Sequence, residues 1–290
     1  MISSDISISP SGGGVGAFVD GVDLSQGLSD NIVGAIRSAL GEHGVLFFRD
    51  QTLTPDQHIA FAKTFGPINI NRFFPAVDGH PEIAEVRKEP EDESNIGNRW
   101  HSDHSYDIAP ALGSVLLAHE TPTEGGDTIF ASMFRAYDAL SVGLKKTVDT
   151  LRAVHSSRHV FGRDNAEYYK NRPGLAERFG NADAATQDSI HPLVIRHPIS
   201  DRKALYVNPA FTVGIEGWND AESAPFLDML YQHAVRPENT YRYQWAPGSI
   251  AFWDNRATWH YAVNDYHGSR RLMHRITIEG VPLESAAALS

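Results

Sequence analysis

The strongest constraint on the fold is a series of short apolar segments, separated by turn residues, that begins near residue 113. Segments of about four to eight residues with Gly, Pro, Asn or Asp between them are typical of β-strands. The predicted strands are 114–119, 128–131, 151–155, 193–197, 205–208, 241–245, 250–253 and 275–279. We therefore predict a mainly β protein with flanking helices, folded as a double-stranded β-helix, or jelly roll.

Helical patterns precede and interrupt these strands. The other predicted elements are a helix that Asp30 caps and that ends near Gly41 or Gly44, a buried strand at Val45–Phe48, a helix opened by Thr54 and Pro55, and helices at about 132–150 and 220–234. These helices are expected to pack on the outside of the β-structure.

The length of 290 residues is sufficient for one large core, so we predict a single domain over residues 1–290. Residues 1–14 are small and polar, and we expect a flexible N-terminus there. The polar stretch within 157–190 has no clear periodicity, and we expect it to form an insertion or a lid near the mouth of the β-structure.

Composition excludes several classes of site and partner. The chain has no cysteine, which rules out disulfides, thiolate zinc sites and iron–sulfur clusters, so a metal must be held by His and carboxylate groups. The net charge of −11 argues against nucleic acid and anionic membrane surfaces as partners. No secretory signal and no apolar run of about 18 residues is evident, and a cytoplasmic location is expected.

The sequence Trp100-His101-Ser102-Asp103 contains the most suggestive pair of metal ligands. Residues i and i+2 of an extended strand point to the same face, so His101 and Asp103 can converge on one point. His260 is the best candidate for a third ligand, which would complete a face of two histidines and one carboxylate. A hydrogen-bonded surface pair is the alternative, because a His-x-Asp pair arises easily by chance among 14 histidines.

Three arginines, Arg270, Arg271 and Arg275, follow His260. The guanidinium group is a rigid fork of donors that suits carboxylate or sulfonate groups. The arginines therefore indicate an anionic small molecule near the metal face, unless they are ordinary surface charges paired with the many acidic residues.

Taken together, five segments resemble the taurine dioxygenase family of iron(II)- and 2-oxoglutarate-dependent oxygenases. This family also includes aryloxyalkanoate dioxygenases and alkylsulfatases. The segments are Trp100-His101-Ser102-Asp103, residues 121–128, Trp253-Asp254-Asn255-Arg256, His260-Tyr261-Ala262 and residues 270–275. The resemblance runs from about Gly16 to Gly280.

The resemblance implies a role for each matching residue. His101, Asp103 and His260 would bind Fe(II), Thr128 and Arg271 would bind the distal carboxylate of 2-oxoglutarate, and Arg275 would bind the anionic head of the substrate. Related halogenases have a small residue in place of Asp103, so its carboxylate favours hydroxylation. The implied co-substrates are 2-oxoglutarate and O2, and the implied assembly is a homo-oligomer, either a dimer or a tetramer.

The implied substrate is a small organic anion, namely a sulfonate, an alkyl sulfate or an aryloxyalkanoate. Hydroxylation beside the sulfonate or the ester or ether oxygen would give an unstable product that releases sulfite, sulfate or a phenol. Asn71 and Phe74 replace a histidine and a tyrosine of the taurine-specific members, while Phe161 and Phe211 match two pocket aromatics. These four residues predict an apolar pocket for a longer or aromatic anion, although core or loop roles would also suit them.

Two other functions fit the same ligands. One is a metal-bound jelly-roll binding protein without turnover, and the other is a zinc hydrolase in which the metal activates water. The presence of Thr128, Arg271 and Arg275 beside the three ligands favours the oxygenase.

Overall fold

A computed structural model describes residues 6–162, 182–186 and 188–289. The strands are β1 (Ser7–Pro10), β2 (Ala17–Asp20), β3 (Val45–Phe48), β4 (Ile68–Asn69), β5 (Ala76–Val77), β6 (His80–Lys88), β7 (Gly113–Glu120), β8 (Thr128–Ser132), β9 (Arg152–Ser156), β10 (Asp188–Pro192), β11 (Val194–Arg196), β12 (Lys203–Leu205), β13 (Thr212–Ile215), β14 (Thr240–Tyr243), β15 (Ile250–Asp254), β16 (Thr258–Ala262), β17 (Arg271–Ile278) and β18 (Glu284–Ser285). The α-helices are α1 (Asp30–His43), α2 (Pro55–Lys63), α3 (Met133–Asp138), α4 (Val142–Val148), α5 (Arg158–Phe161) and α6 (Asp220–Ala234). The protein is mainly β with few helices, as predicted.

Two sheets dominate the fold. The larger has nine strands in the order β1-β2-β3-β15-β7-β17-β6-β5, with β4 paired to β17, and the smaller has the order β14-β8-β16. From β14 to β17 the chain alternates between them, because β14 and β16 belong to the smaller sheet and β15 and β17 to the larger. Two further three-stranded sheets, β10-β9-β13 and β12-β11-β18, complete the described β-structure.

The two main sheets pack face to face over a shared apolar core. Phe47 of the larger sheet stacks on Tyr243 of the smaller, with ring centroids 4.1 Å apart. Phe130 of the smaller sheet lies 5.8 Å from Trp253 of the larger. Met273 of β17 belongs to the same buried cluster. Because side chains alternate along a strand, Arg271 and Arg275 share the inner face of β17 with Met273.

Helices α1 and α2 cover the outer face of the larger sheet. Their buried side chains Ile36, Leu40, Ile59 and Phe61 pack in one cluster with apolar residues of β3, β7, β15 and β17. The cap of α1 is Ser29, whose side chain accepts a hydrogen bond from the Ile32 N–H, and not Asp30 as predicted. Asp30 is the first helical residue, where its charge interacts favourably with the helix dipole.

Several predicted segments differ in detail from the structure, including the strand expected at 275–279, which is Arg271–Ile278. The helix expected at 132–150 is two helices, because the Ser141 hydroxyl caps a new one at α4. The strand expected at 205–208 is Lys203–Leu205. The expected flexible N-terminus, 1–14, includes β1, which pairs antiparallel with β2.

Of the expected insertion or lid at 157–190, the structure describes α5, a 3-10 helix at Ala182–Ala184 and the start of β10. Residues 163–181 and 187 lie outside the described part of the chain. None of the helices that the structure describes combines the length and the apolar character needed to cross a membrane.

Candidate active site

His101, Asp103 and His260 converge at one end of the space between the two main sheets. One ligand atom from each residue lies within 4.8 Å of the others. Nε2 of His101 is 3.7 Å from Oδ1 of Asp103, and Nε2 of His260 is 3.9 Å from Oδ2. The three side chains are only 12%, 9% and 8% exposed. The structure therefore brings together the three candidate ligands that the sequence singled out.

A short backbone bridge places the two histidines beside each other. The His101 N–H donates to the carbonyl of His260 at 3.1 Å, and the His260 N–H donates to the carbonyl of His101 at 2.9 Å. The expectation of an extended strand through Asp103 is wrong, since only His101 pairs in this way. The chain turns at Asp103, and His104 has a left-handed φ of 58°. The turn carries the carboxylate towards the two imidazoles.

The protonation states in this site suit a divalent metal. Burial lowers the pKa of His101 and of His260, in spite of the neighbouring carboxylate, so both imidazoles are neutral. Burial acts to raise the pKa of Asp103, but the adjacent Arg275 guanidinium acts in the opposite direction. The pKa lies below its ordinary value, so the carboxylate is ionised. Metal ligands must be deprotonated in this way. Two neutral imidazoles and one carboxylate therefore fit Fe(II).

Hydrogen bonds orient two of the three ligands. The Nδ1 N–H of His101 donates to the carbonyl of Arg99 at 2.8 Å, which leaves the Nε2 lone pair directed towards Asp103. The hydroxyl of Ser114 on β7 donates to Oδ2 of Asp103 at 3.2 Å. Among the described residues, the buried Nδ1 of His260 has no hydrogen-bond partner.

Arg275 lies beside the carboxylate of this site. Its Nη1 is 3.3 Å from both oxygens of Asp103, and its Cζ is 4.8 Å from the centre of the Phe74 ring. Its buried Nε has no hydrogen-bond partner in the part of the chain that the structure describes. The guanidinium group of Arg275 therefore contacts Asp103 through Nη1 and lies against the Phe74 ring, and its Nε is available to donate to a ligand.

Thr128 and Arg271 lie at the first residues of β8 and β17, on opposite sheets. Trp245 connects them: its Nε1–H donates to the Thr128 hydroxyl at 3.0 Å, and its ring is 5.7 Å from the Arg271 guanidinium. Arg271 is 6% exposed, and burial lowers its pKa. Its Nε has no hydrogen-bond partner within residues 6–162, 182–186 and 188–289. A buried cation of this kind needs an anion, so the site fits a ligand carboxylate.

The four predicted pocket residues gather beside Arg275. Phe161 lies 6.5 Å from Phe74 and 5.9 Å from Phe211. Asn71 uses its Oδ1 within its own loop, where it accepts hydrogen bonds from the N–H groups of Phe73 and Phe74.

Sequence reasoning missed two members of this aromatic cluster. Phe73 stacks on Phe161 at 4.2 Å, and Tyr106 lies 4.9 Å from Phe211. Both are 2% exposed. The available sequence signal was proximity to predicted site residues, because Phe73 precedes Phe74 and Tyr106 follows Asp103 by three residues.

The segment Trp253-Asp254-Asn255-Arg256 has a structural role. Arg256 donates to Asp254 from Nε at 2.9 Å and from Nη2 at 2.6 Å, and Nε2 of His197 donates to the same carboxylate at 3.0 Å. The Ser102 hydroxyl donates to the carbonyl of Asn255. This buried cluster thus supports the segment between His101 and Asp103.

The remaining basic residues near the site belong to the scaffold. Arg270 is paired on the surface with Glu89, at 3.0 Å, and with Glu120. Nδ1 of His104 lies 2.9 Å from Oδ2 of Asp107.

Comparison with known proteins identifies the family. The sequence model described as "Taurine catabolism dioxygenase TauD, TfdA family" matches residues 7–277. An alpha-ketoglutarate-dependent sulfate ester dioxygenase of Pseudomonas putida is 35% identical, over 99% of this chain and 94% of the relative. An (S)-phenoxypropionate/alpha-ketoglutarate-dioxygenase of Sphingobium herbicidovorans is 34% identical, over 99% of both chains.

A solved structure agrees with these sequence matches. A taurine dioxygenase from Burkholderia xenovorans superposes with a TM-score of 0.81 at 35% identity, over 97% of this chain and 93% of the other. The comparisons favour the dioxygenase over a binding protein without turnover and over a zinc hydrolase. Its cofactor is Fe(II), and its co-substrates are 2-oxoglutarate (alpha-ketoglutarate) and O2. The chain belongs to the TauD/TfdA family of iron(II)- and 2-oxoglutarate-dependent dioxygenases.

Proposed function

We propose that His101, Asp103 and His260 hold the iron and that the enzyme hydroxylates a small organic anion with an aryl or long alkyl body. The convergence of three ligand atoms within 4.8 Å supports this assignment. Bound there, Fe(II) supplies the oxidation of a substrate C–H bond by O2, coupled to conversion of 2-oxoglutarate to succinate and CO2. The protein binds both acids, orients the C–H bond and excludes other targets.

Thr128 and Arg271 bind the distal carboxylate of 2-oxoglutarate in this proposal. The support is the buried guanidinium of Arg271, whose Nε has no hydrogen-bond partner among the described residues, together with Trp245, which contacts both Arg271 and the Thr128 hydroxyl. A carboxylate between them would accept charge-assisted hydrogen bonds, which are shorter and stronger than those between neutral groups.

The observation that carries the substrate assignment is the position of Arg275 between Asp103 and the ring of Phe74. An anionic head bound by Arg275 leaves the body of the substrate next to the aromatic cluster of Phe73, Phe74, Tyr106, Phe161 and Phe211. Asn71 adds a small amide to this wall. Offset aromatic rings contribute apolar area with a defined shape, which suits an aryl ring or a long alkyl chain.

The relatives permit several head groups, since two proteins of nearly equal identity act on a sulfate ester and on phenoxypropionate. We infer that hydroxylation occurs at the carbon that bears the sulfonate, sulfate ester or ether oxygen. The product then breaks down, and the leaving group departs as sulfite, sulfate or a phenol.

A panel of anions tests this assignment. Succinate release would be measured with aryloxyalkanoates, alkyl sulfates of increasing chain length, aryl sulfonates and taurine. Anions with an aryl or long alkyl body should stimulate release above taurine. A clear preference for taurine would contradict the apolar pocket. The enzyme class has a separate test: anaerobic Fe(II) with 2-oxoglutarate should give a weak visible charge-transfer band.

The two facing sheets and the alternation of the chain between them support a double-stranded β-helix as the detailed fold. A homo-oligomer, either a dimer or a tetramer, and a cytoplasmic location stay predictions. Size-exclusion chromatography with light scattering would determine the assembly.

A further inference from the structure

Trp245 contacts both of the side chains that we propose for binding the distal carboxylate of 2-oxoglutarate. Its indole Nε1–H donates to the hydroxyl of Thr128 at 3.0 Å. The centre of its ring lies 5.7 Å from Cζ of Arg271, within the range of a cation–π contact. Thr128 begins β8 of the smaller sheet, and Arg271 begins β17 of the larger one. A single side chain therefore contacts one donor from each sheet.

The surroundings of Trp245 limit the movement of its indole ring. The ring packs edge-on against the buried ring of Tyr243, with centroids 4.9 Å apart and an interplanar angle of 80°. Tyr243 pairs in register with Thr128. The residue after Trp245 is also fixed, because the Ala246 N–H donates to the Ser249 hydroxyl at 3.1 Å and the Ser249 N–H donates to the Ala246 carbonyl at 3.0 Å. The indole N–H is therefore a preorganised donor next to Thr128.

The hydrogen bond from Trp245 determines how the Thr128 hydroxyl can act. An indole N–H is only a donor, whereas a hydroxyl carries one hydrogen to donate and two lone pairs that accept. Trp245 occupies one lone pair of Thr128, so the hydroxyl hydrogen points away from the indole. An ionised carboxylate only accepts hydrogen bonds. The orientation that Trp245 imposes on Thr128 is therefore the one that a ligand carboxylate requires.

We propose that Trp245 is a positioning residue, whose indole N–H holds the Thr128 hydroxyl as a donor to the distal carboxylate of 2-oxoglutarate. The inference rests on the proposed 2-oxoglutarate site. It gives Trp245 a share in the selectivity for a dicarboxylic 2-oxo acid over a monocarboxylic one, because the two acids differ only at the end that Thr128 and Arg271 bind. Without the N–H, the hydroxyl rotates among several orientations, and binding must then order it.

The test is an anaerobic titration of the Fe(II)-loaded protein with 2-oxoglutarate, followed by its visible charge-transfer band. Trp245→Phe removes the N–H and keeps an aromatic ring beside Arg271. Thr128→Val removes the hydroxyl and keeps the branched shape, and the variant with both substitutions completes a double-mutant cycle. Trp218→Phe is the matched control, because Trp218 is 37% exposed and its ring contacts Phe226 of α6, 5.3 Å away.

Trp245→Phe should raise the Kd of 2-oxoglutarate by about three- to tenfold, the range for loss of one hydrogen bond. In the Thr128→Val background the same substitution should change the Kd by less than about twofold, because the hydroxyl that it orients is already absent. Trp218→Phe should have the wild-type Kd. The Kd of 2-oxopentanoate, which has a methyl group in place of the distal carboxylate, should be the same in Trp245→Phe and the wild type.

An unchanged Kd for 2-oxoglutarate in Trp245→Phe would overturn the proposal. An equal loss in the wild-type and Thr128→Val backgrounds, or an equal loss for 2-oxopentanoate, would also overturn it, since Trp245 would then act by packing and not through Thr128. A wild-type protein that gives no band with Fe(II) and 2-oxoglutarate would contradict the proposed function itself, and an unchanged Kd in Thr128→Val would contradict the proposed co-substrate site. Both outcomes differ from a failure at Trp245 alone.

Discussion

Two buried clusters of Asp, His and Arg side chains lie near the β15–β16 connection. They differ in the distances between the polar atoms within each cluster. In the cluster of Asp254, Arg256 and His197, the carboxylate receives side-chain donors at 2.6–3.0 Å. Around Asp103 the nearest arginine nitrogen is 3.3 Å away, and the imidazole nitrogens are 3.7 and 3.9 Å away. The first cluster is a closed structural network, and the second is an open one.

The difference shows how one set of residue types serves two purposes. A closed network satisfies the buried charges from within the protein and fixes the backbone around it. An open network keeps the Nε2 atoms of His101 and His260 too far from Asp103 to bond to it, and it leaves Nε of Arg275 without a hydrogen-bond partner among the described residues. These are groups that an ion or a substrate can use. Asn255 lies between Asp254 and Arg256 of the closed cluster. Its backbone carbonyl accepts a hydrogen bond from the hydroxyl of Ser102, which lies between His101 and Asp103 of the open cluster.

The largest expected effect comes from the open cluster. His260→Ala should reduce iron-dependent succinate formation to background, because a face of three ligands loses one. The free energy of unfolding of the metal-free protein should fall by only about 1–2 kcal/mol, as for many point substitutions. Succinate assays and urea denaturation check the two parts. Wild-type activity in His260→Ala would show that His260 is not a ligand.

In the closed cluster, a substitution should lower the free energy of unfolding strongly and leave iron binding in place. Arg256→Met leaves the Asp254 carboxylate buried without its main partner, and breaking a buried ion pair costs about 3–5 kcal/mol. We expect this loss in the free energy of unfolding, measured with urea at neutral pH, while the molecules that remain folded still bind Fe(II). If Arg256→Met lost as little unfolding free energy as His260→Ala, the two clusters would not differ in their contribution to stability.

The pH dependence of that loss provides a control. Burial acts to raise the pKa of Asp254, but Arg256 and His197 have a larger effect in the opposite direction. The folded-state pKa of Asp254 is therefore below the ordinary value of 3.8. The stabilisation is therefore complete above the unfolded-state pKa and is lost as the pH falls through the folded-state value. Without Arg256, burial raises the folded-state pKa of Asp254, so the variant takes up a proton at a higher pH than the wild type does. The difference in unfolding free energy between the two proteins should therefore narrow as the pH falls from neutral.

Within the open region, Arg271 and Arg275 should have separable roles. Arg271→Ala should raise the Kd of 2-oxoglutarate by roughly 10- to 100-fold, the range for a lost hydrogen bond to a charged group. Arg275→Ala should raise the KM of the prime substrate by a similar factor and affect 2-oxoglutarate less. Binding titrations and steady-state kinetics distinguish them. Equal effects of both variants on both ligands would refute this division.

The smallest expected effect concerns the pocket wall. Phe74→Tyr adds one hydroxyl to the ring that lies under the Arg275 guanidinium. The substituted pocket should favour small polar sulfonates slightly more, with a change in the kcat/KM ratio of about two- to fivefold, which corresponds to less than about 1 kcal/mol. The ratio of taurine to an aryloxyalkanoate is the measurement. A shift towards the aryl substrate would contradict the predicted direction.

Local signals predicted the regular elements well. Helix α6 begins and ends where the pattern placed it, because Asn219 and Glu222 form a capping box at its start. Strand β16, which carries His260, was not predicted. All of Thr258–His260 is buried, so this strand has no alternation, and no turn residue separates it from the preceding motif.

The site itself was only partly visible in the sequence. The residue types at 101, 103 and 260 indicated a metal, whereas the turn at Asp103 depends on long-range contacts such as Ser102 to Asn255. The pairing of Arg275 with Asp103 arises from sheet topology. No local pattern contains that information.

The two backbone hydrogen bonds between His101 and His260 have a consequence for how the enzyme acquires iron. Both bonds use main-chain atoms only, and they join segments more than 150 residues apart. The loss of chain entropy needed to bring these imidazoles together therefore occurs when the chain folds, and iron binds to a preorganised site. Amide protons of His101 and His260 should accordingly exchange slowly with deuterium even in the iron-free enzyme, and addition of metal should slow them little further.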